Sequence, residues 1–356
     1  MIRFLAIADI HLGSYPRSGL TREDDIMNAL VNIASYAGTN KINTVIVAGD
    51  IFKSKNPSPQ HYRIFNMFLH LLVMQGISVE VIPGNHDVSR GDTSSTALDP
   101  YTAIPGGPSV HVHVSPTLKV IDGQSFLFFP YTTPPQEEKL QDYIKQSNYD
   151  PSKIILVMHG TVEGAMMNRH VDYEIYDEDM IKADTANQFQ MVLAGHLHDG
   201  HNVGNVWYPG SIENLSFSDE GAEKSFLDIE VGGAIKKVAL NPRKFITLTY
   251  DYIPKVKSGE ISVKDQVVRV FEADKNSIPE IDAILKKAKC YFVSSIQPKV
   301  DEKVATNKLN RQNLVLKEFI EKYAARYGYK GKNEEETKVL VDSAANLIVQ
   351  MLNDQT

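Results

Sequence analysis

Apolar runs that stop abruptly at small clusters of Asp, His, Asn and Gly recur along the first 240 residues. They read "FLAIADIH", "NTVIVAGD", "SVEVIPGNHD", "SVHVHVS", "SFLFFPY", "KIILVMHG" and "MVLAGHLH". Nearly continuous Val, Ile and Leu predicts strands buried on both faces, as in a sheet covered by helices. Helices are predicted between the runs, over 22–37 with Thr21 as N-cap and Glu23, Asp24 and Asp25 in its first turn, and over 59–75. The expected fold is α/β, with the polar clusters at the carboxyl ends of strands, where such sheets place ligands.

The patterning changes after about residue 240. "QVVRVFEA", "SIPEIDAILKKAK" and "CYFVSSI" predict strand, helix and strand, with Ser277 and Pro279 at the helix start. From about 304 onward two amphipathic helices are expected, separated by "YGYKGKN". Leu316, Phe319, Ile320, Tyr323 and Tyr327 stripe the first; Leu340, Val341, Ala344, Leu347, Ile348 and Met351 stripe the second. The chain therefore divides into 1–240, 241–303 and 304–356, consistent with 356 residues exceeding one ordinary core.

Composition changes this picture little: 42% hydrophobic and 23% charged is ordinary for a globular chain. No apolar run reaches the ~18 residues of a membrane span, and no membrane partner is expected. The amino terminus reads as a first strand rather than a signal peptide. A single cysteine, Cys290, excludes an internal disulfide and suits a reducing cytoplasm. The net charge of −7 excludes a polycation, so contact with nucleic acid needs local patches or bound cations.

The chemistry lies at five strand ends, which carry Asp9 and His11, Asp50, Asn85 and His86, His159, and His196 with His198. In each D-x-H or H-x-H pair both side chains point to one side of an extended backbone. Gly49, Gly84 and Gly195 are expected to remove side chains where metal or phosphate approaches the backbone. Seven groups (Asp9, His11, Asp50, Asn85, His159, His196, His198) are too many for one tetrahedral ion. With one Asp bridging, they supply four ligands to each of two ions, which at ~3.5–4 Å apart suit in-line attack by activated water on phosphorus. Two divalent ions against two carboxylates leave a positive centre that attracts a phosphodiester. Imidazole-rich coordination favours Mn, Fe, Zn or Co over Mg. An isolated D-x-H is weak evidence, but "GNHD" arises by chance on the order of once in 10⁵ windows at average composition.

"DIH", "GD", "GNHD", "HG" and "GHLH", in this order, resemble the motif series of calcineurin-like metallophosphoesterases. "ADIHLG", "VAGDIFKSKNPS", "IPGNHD" and "YPGSIENLSFSDEGAEKSFLDIE" look more specifically like the SbcD-type nuclease component of DNA double-strand-break repair. The likeness covers residues 1 to about 250. It implies a two-sheet sandwich flanked by helices, a small β-α-β domain capping DNA, and a helical tail that binds an SbcC-type SMC-like ATPase. The activity implied is exo- and endonucleolytic hydrolysis of DNA in the cytoplasm of a bacterial, or virus-infected bacterial, cell. The expected ions are two Mn2+, one held by Asp9, His11 and His198, the other by Asn85, His159 and His196, with Asp50 bridging. Asn85 and His86 are the implied catalytic residues, His86 as general acid to the departing sugar oxygen. Lys53 stands where many relatives have His and is a candidate phosphate contact.

Other features have bland readings beside the sharp ones. The helix over 59–75 is apolar on more than one face (Ile64, Phe65, Phe68, Leu69, Leu71, Leu72), which suits a core helix and a homodimer contact equally. Six Lys and Arg lie between 235 and 257, Arg243 and Lys244 among them, and suit a solvated face or a track for the DNA backbone. His111 and His113 imitate "GHLH" but read as one polar strand face. No "GxxxxGK[ST]" occurs, so ATP dependence would come from another chain. Two alternatives remain: a phosphatase or cyclic-nucleotide phosphodiesterase on the same scaffold, and a non-catalytic partner-binding scaffold.

Overall fold

A computed structural model describes residues 2–14, 22–89, 92–102, 109–133, 135–165 and 180–298. The seven apolar runs form strands, distributed over two six-stranded sheets. The first sheet runs Ile235–Ala239, Ser225–Glu230, Arg3–Ile7, Thr44–Ala48, Ser78–Ile82, Val110–Val112. The second runs His201–Val203, Val206–Tyr208, Met191–Gly195, Ile154–His159, Gln124–Phe129, Thr117–Ile121. The central strands of each are parallel, with antiparallel pairs towards one edge of the first sheet and both edges of the second.

Alternation along the strands builds the layers. Phe4 and Ala6 turn towards Phe126, Phe128, Ile155 and Val157 in the core between the sheets. Leu5 and Ile7 turn the other way, onto Ile26, Leu30 and Ile33 of the helix Glu23–Thr39 and Phe65, Phe68 and Leu72 of the helix Pro59–Val73. Leu127, Leu156 and Met158 meet Leu140 of the helix Gln136–Gln146 on the far face of the second sheet. The central strands thus bury both faces, which explains their unbroken apolar runs. The result is the expected two-sheet α/β sandwich flanked by helices.

Several local expectations change. The first helix starts at Glu23 with Arg22 as N-cap, while Thr21 lies outside the described residues. In the second helix Ser58 and His61 form a reciprocal capping box. Ile64, Phe65, Phe68, Leu69 and Leu72 are all buried and Leu71 packs on the same core, so the apolar faces of this helix are covered within the chain. Phe245–Thr249, unmarked in the sequence, completes a three-stranded parallel sheet with Val267–Ala273 and Phe292–Pro298. The helix Ile278–Lys287 packs on it through Ile281 and Leu285. The two helices expected after 304 lie outside the described residues. Among the described residues, no helix is long and apolar enough to cross a membrane.

The polar face of the "VHVH" strand points inward rather than to solvent. Glu80, 1% exposed, accepts Lys119 Nζ at 2.7 Å and pairs with His113 Nε2 at 2.7 Å, while the His113 ring stacks on Phe128. Lys119 belongs to the second sheet, so Glu80 ties the two sheets at one edge. Burial raises the Glu80 carboxyl, but His113 and Lys119 outweigh burial and hold it below its ordinary 4.5. A carboxyl lowered on folding stabilises the protein above its unfolded value, and that stabilisation is lost as pH falls through the folded one. Glu80→Gln is therefore expected to cost about 1–3 kcal/mol at neutral pH. Urea titrations should show the difference from wild type vanishing in acid; a difference independent of pH would refute this account.

Candidate metal centre

The carboxyl ends of five buried strands, three in one sheet and two in the other, meet at one end of the sandwich. Beyond the strands the loops bind each other through the main chain. Asp9 N donates to Gly49 O at 3.1 Å, His11 N to Asp50 O at 3.0 Å and Lys53 N to Leu12 O at 2.9 Å. Asp9, His11, Asp50 and His196 all have positive φ (53°, 49°, 53° and 105°), a region unfavourable for side-chain-bearing residues and concentrated at functional sites. His196 N donates to both oxygens of Asp9 at 3.0 Å, which joins the two sheets at the site.

The glycines serve a purpose other than the expected one. A Cβ on Gly49 would lie 2.3 Å from His159 Nδ1, on Gly84 2.2 Å from Asp50 Oδ1, and on Gly195 2.0 Å from Ala48 O. They make room for neighbouring protein, so that three strand ends pack against the His159 ring and the Asp50 loop. Asp87 has no role that sequence alone assigns. Fully buried, its carboxylate accepts the amides of Ile51 (3.2 Å), Phe52 (2.9 Å) and Gly84 (2.9 Å), locking the Asp50 loop to the "GNHD" turn.

All seven expected donors come together. Asp50 Oδ2 lies 3.4 Å from His11 Nε2 and 3.4 Å from His159 Nε2. On one side His11 Nε2 is 3.9 Å from Asp9 Oδ1 and 3.2 Å from His198 Nε2. On the other, Asn85 Oδ1 is 3.0 Å from His159 Nε2 and 3.2 Å from His196 Nδ1. The triplets Asp9–His11–His198 and Asp9–Asp50–His159 are buried and compact enough to hold an ion. The donor set fits metal. Two imidazole nitrogens, His11 Nε2 and His198 Nε2, converge at 3.2 Å. His159 Nδ1 is 2.8 Å from Ala48 O, so it donates there and turns Nε2 towards the centre, the usual orientation of a ligating histidine.

Burial and close charges shift the ionisable donors in both directions. Burial lifts the Asp9 carboxyl to about 7, with Asp50 adding to the rise. Burial also raises Asp50, but His159 and His11 outweigh it and hold Asp50 well below the carboxylate range. His159 is lowered by burial, yet Asp50 and Asp9 carry it to about 9. Burial takes His196 down to about 3 and His198 to about 4, leaving both neutral, as a metal ligand must be.

His86 stands at the rim. Its side chain is 30% exposed, its amide donates to Asp50 Oδ1 at 2.9 Å, and its Nδ1 is 3.0 Å from Lys53 O. Burial lowers its pKa below the ordinary value. Lys53 thus reaches the site through its main chain, and its exposed ammonium is also close enough to help lower His11, His86 and His198. Arg243, expected on a DNA track, is instead engaged inside the protein. It grips both oxygens of Asp25 at 2.8 Å, donates to Asp265 O at 2.6 Å and lies 3.6 Å from the centre of the Tyr291 ring. Lys237, Lys255 and Lys257 are paired at the surface with Gly200 O, Glu260 and Glu280, and Lys236 and Lys244 are exposed too. His61 caps its own helix and His201 stacks on Tyr208; neither belongs to the site. His170 lies outside the described residues.

Residues 2–200 match the family model "Calcineurin-like phosphoesterase". The chain is 26% identical over 263 residues to a protein of Halobacterium salinarum named DNA double-strand break repair protein Mre11, covering 71% of this chain and 64% of that one. A protein of the same name from Methanocaldococcus jannaschii is 25% identical over 396 aligned positions, covering 96% of this chain and 98% of its own length. A protein of Escherichia coli K12 named as one component of the nuclease SbcCD is 26% identical over 256 residues, covering 63% of each chain. The family match takes in more than half of the chain's 356 residues and all of the strand ends just described, and the chain belongs to the calcineurin-like phosphoesterase family.

Proposed function

We propose that this protein is a metal-dependent nuclease that hydrolyses DNA phosphodiester bonds in break repair or end processing. The observation that carries the reading is Asp50, whose single oxygen Oδ2 stands 3.4 Å from both His11 and His159. One carboxylate thus sits between two ligand groups: Asp9, His11 and His198 on one side, Asn85, His159 and His196 on the other. Two divalent ions bound there, Mn2+ in this reading, would lower the pKa of a coordinated water and neutralise charge developing on phosphorus. The chain's own residues do the rest. His159 and the Asp9–His196 bond fix the ligands in place. His86 reaches the departing oxygen from the rim and supplies its proton. The names of the relatives support DNA as substrate.

In the same reading residues 1–240 are the nuclease domain, 241–303 cap the DNA, and the amphipathic segment 304–356 docks on the SMC-like ATPase. The Escherichia coli relative, named as one component of a nuclease, supports such a partner. The homodimer belongs to this proposal too.

The test offers the full chain with Mn2+ two substrates: linear duplex DNA and p-nitrophenyl phosphate. Cleavage of DNA with the small ester spared is expected. Hydrolysis of the ester with intact DNA would make the protein a phosphatase, and inertness to both would make it a scaffold. Because Lys53 holds His86 through its carbonyl, Lys53→Ala should keep kcat and weaken DNA binding, lowering the salt slope of binding by about 1. A fall in kcat with unchanged salt slope would contradict that assignment.

A further inference from the structure

Lys224 is 1% exposed, and all three donors of its ammonium are used: His198 O at 3.1 Å, Ser211 Oγ at 2.8 Å and Asp219 Oδ1 at 3.0 Å. Asp219 is fully buried, and its other oxygen accepts the amides of Leu215 and Ser216 at 2.9 and 3.0 Å. A buried ion pair adds little stability beyond an apolar pair of equal volume, so its presence calls for a geometric reason.

The acceptors supply that reason. His198 O belongs to one of the metal-ligand candidates and also accepts Ser211 N at 3.0 Å. Ser211 in turn bridges Ala8, the neighbour of Asp9. Gly210 lets these segments touch, since a Cβ there would lie 2.7 Å from His198 O. One cation therefore fastens the loop carrying His198 to the strand end carrying Asp9. Its hydrogen bonds reach neither the turn of Asn85 nor the strand of His159.

We propose that Lys224, held by Asp219, is a positioning residue for the ion site formed by Asp9, His11 and His198; this rests on the two-ion reading above. The ammonium fixes the backbone at the His198 carbonyl and thereby the aim of the His198 ring.

Mn2+ titration of the full chain, followed by the electron paramagnetic resonance of free Mn2+, tests it. Wild type should bind two ions. In Lys224→Met/Asp219→Leu, which keeps an apolar pair in the core, one ion should weaken by about 10- to 100-fold while the other stays unchanged. Thermal melting in EDTA should stay near wild type. Two ions bound as in wild type would overturn the proposal, as would equal loss of both. Should the double variant not fold, Ser211→Ala, which spares the ion pair, decides: an about 2- to 10-fold loss at one site supports the proposal, and unchanged binding overturns it. Wild type binding fewer than two ions would overturn the two-ion reading itself, and this inference with it.

Discussion

His86→Ala is expected to lower Mn2+-dependent DNA cleavage by about 10²–10⁴-fold while both ions still bind. Of the imidazoles, His11, His159 and His198 have side chains no more than 7% exposed, whereas His86 is 30% exposed and so is placed to meet substrate. Its Nδ1 faces Lys53 O at 3.0 Å and donates there, which fixes the ring and leaves Nε2 as the atom that carries a transferable proton. Burial lowers its pKa, so its protonated form is a stronger acid than free imidazole. A proton donor matters most when the departing group is a poor one. The variant should therefore lose far more activity on DNA, whose sugar oxygen leaves badly, than on bis-p-nitrophenyl phosphate, whose phenolate leaves without help. Parallel kcat measurements on the two substrates decide the matter. Equal losses, or loss of an ion from the variant, would remove His86 from the role of general acid.

Gly84→Ala should abolish the site by a different route. The added Cβ would lie 2.2 Å from Asp50 Oδ1, 2.5 Å from Asp50 N and 2.8 Å from His159 Cε1. Asp50 and His159 are themselves held by backbone bonds, so the clash displaces ligands rather than a flexible side-chain tip. Overpacking of this kind costs about 1–3 kcal/mol, and misplaced ligands cost metal affinity as well. Gly76→Ala is the control: φ there is 74° but nothing lies within 4 Å of the added Cβ, so backbone strain acts alone. Melting and Mn2+ titration should show lost stability in both variants and lost metal only in Gly84→Ala. Wild-type metal affinity in Gly84→Ala would show that the packing around Asp50 is looser than these distances imply.

What can be read in advance follows from what each residue does. Strands buried on both faces announce themselves, because every position in Thr44–Ala48 or Ile154–His159 is enclosed. Ser225–Glu230 pairs directly with Arg3–Ile7 yet is hidden, because Asp228 interrupts its apolar run to bind Arg3 at 2.6 Å and Tyr36 at 2.8 Å. The edge strand Thr117–Ile121 is only half covered and gives little contrast. In the site, metal ligands are legible because few side chains can do that work. Asp87, Asp219 and Lys224 bind mostly backbone groups or one another, and Arg22 binds two carboxylates and a carbonyl, contacts for which sequence carries no spacing rule. Arg22 illustrates this: beside a predicted cap it draws no notice, yet its buried guanidinium holds Asp25, Glu213 and Asn214 O at 2.6, 2.6 and 2.7 Å. The glycines stand out in the sequence, but their clearance is for neighbouring side chains and carbonyls.

In the two-ion reading, the left-handed backbone at Asp9, His11, Asp50 and His196 sets catalysis against durability. Glycine would relax each of these positions, so lineages screened for robustness alone would drift towards it and fall silent. What keeps four awkward side chains in place is the chemistry they perform together, and any attempt to harden this protein against heat should leave those corners untouched.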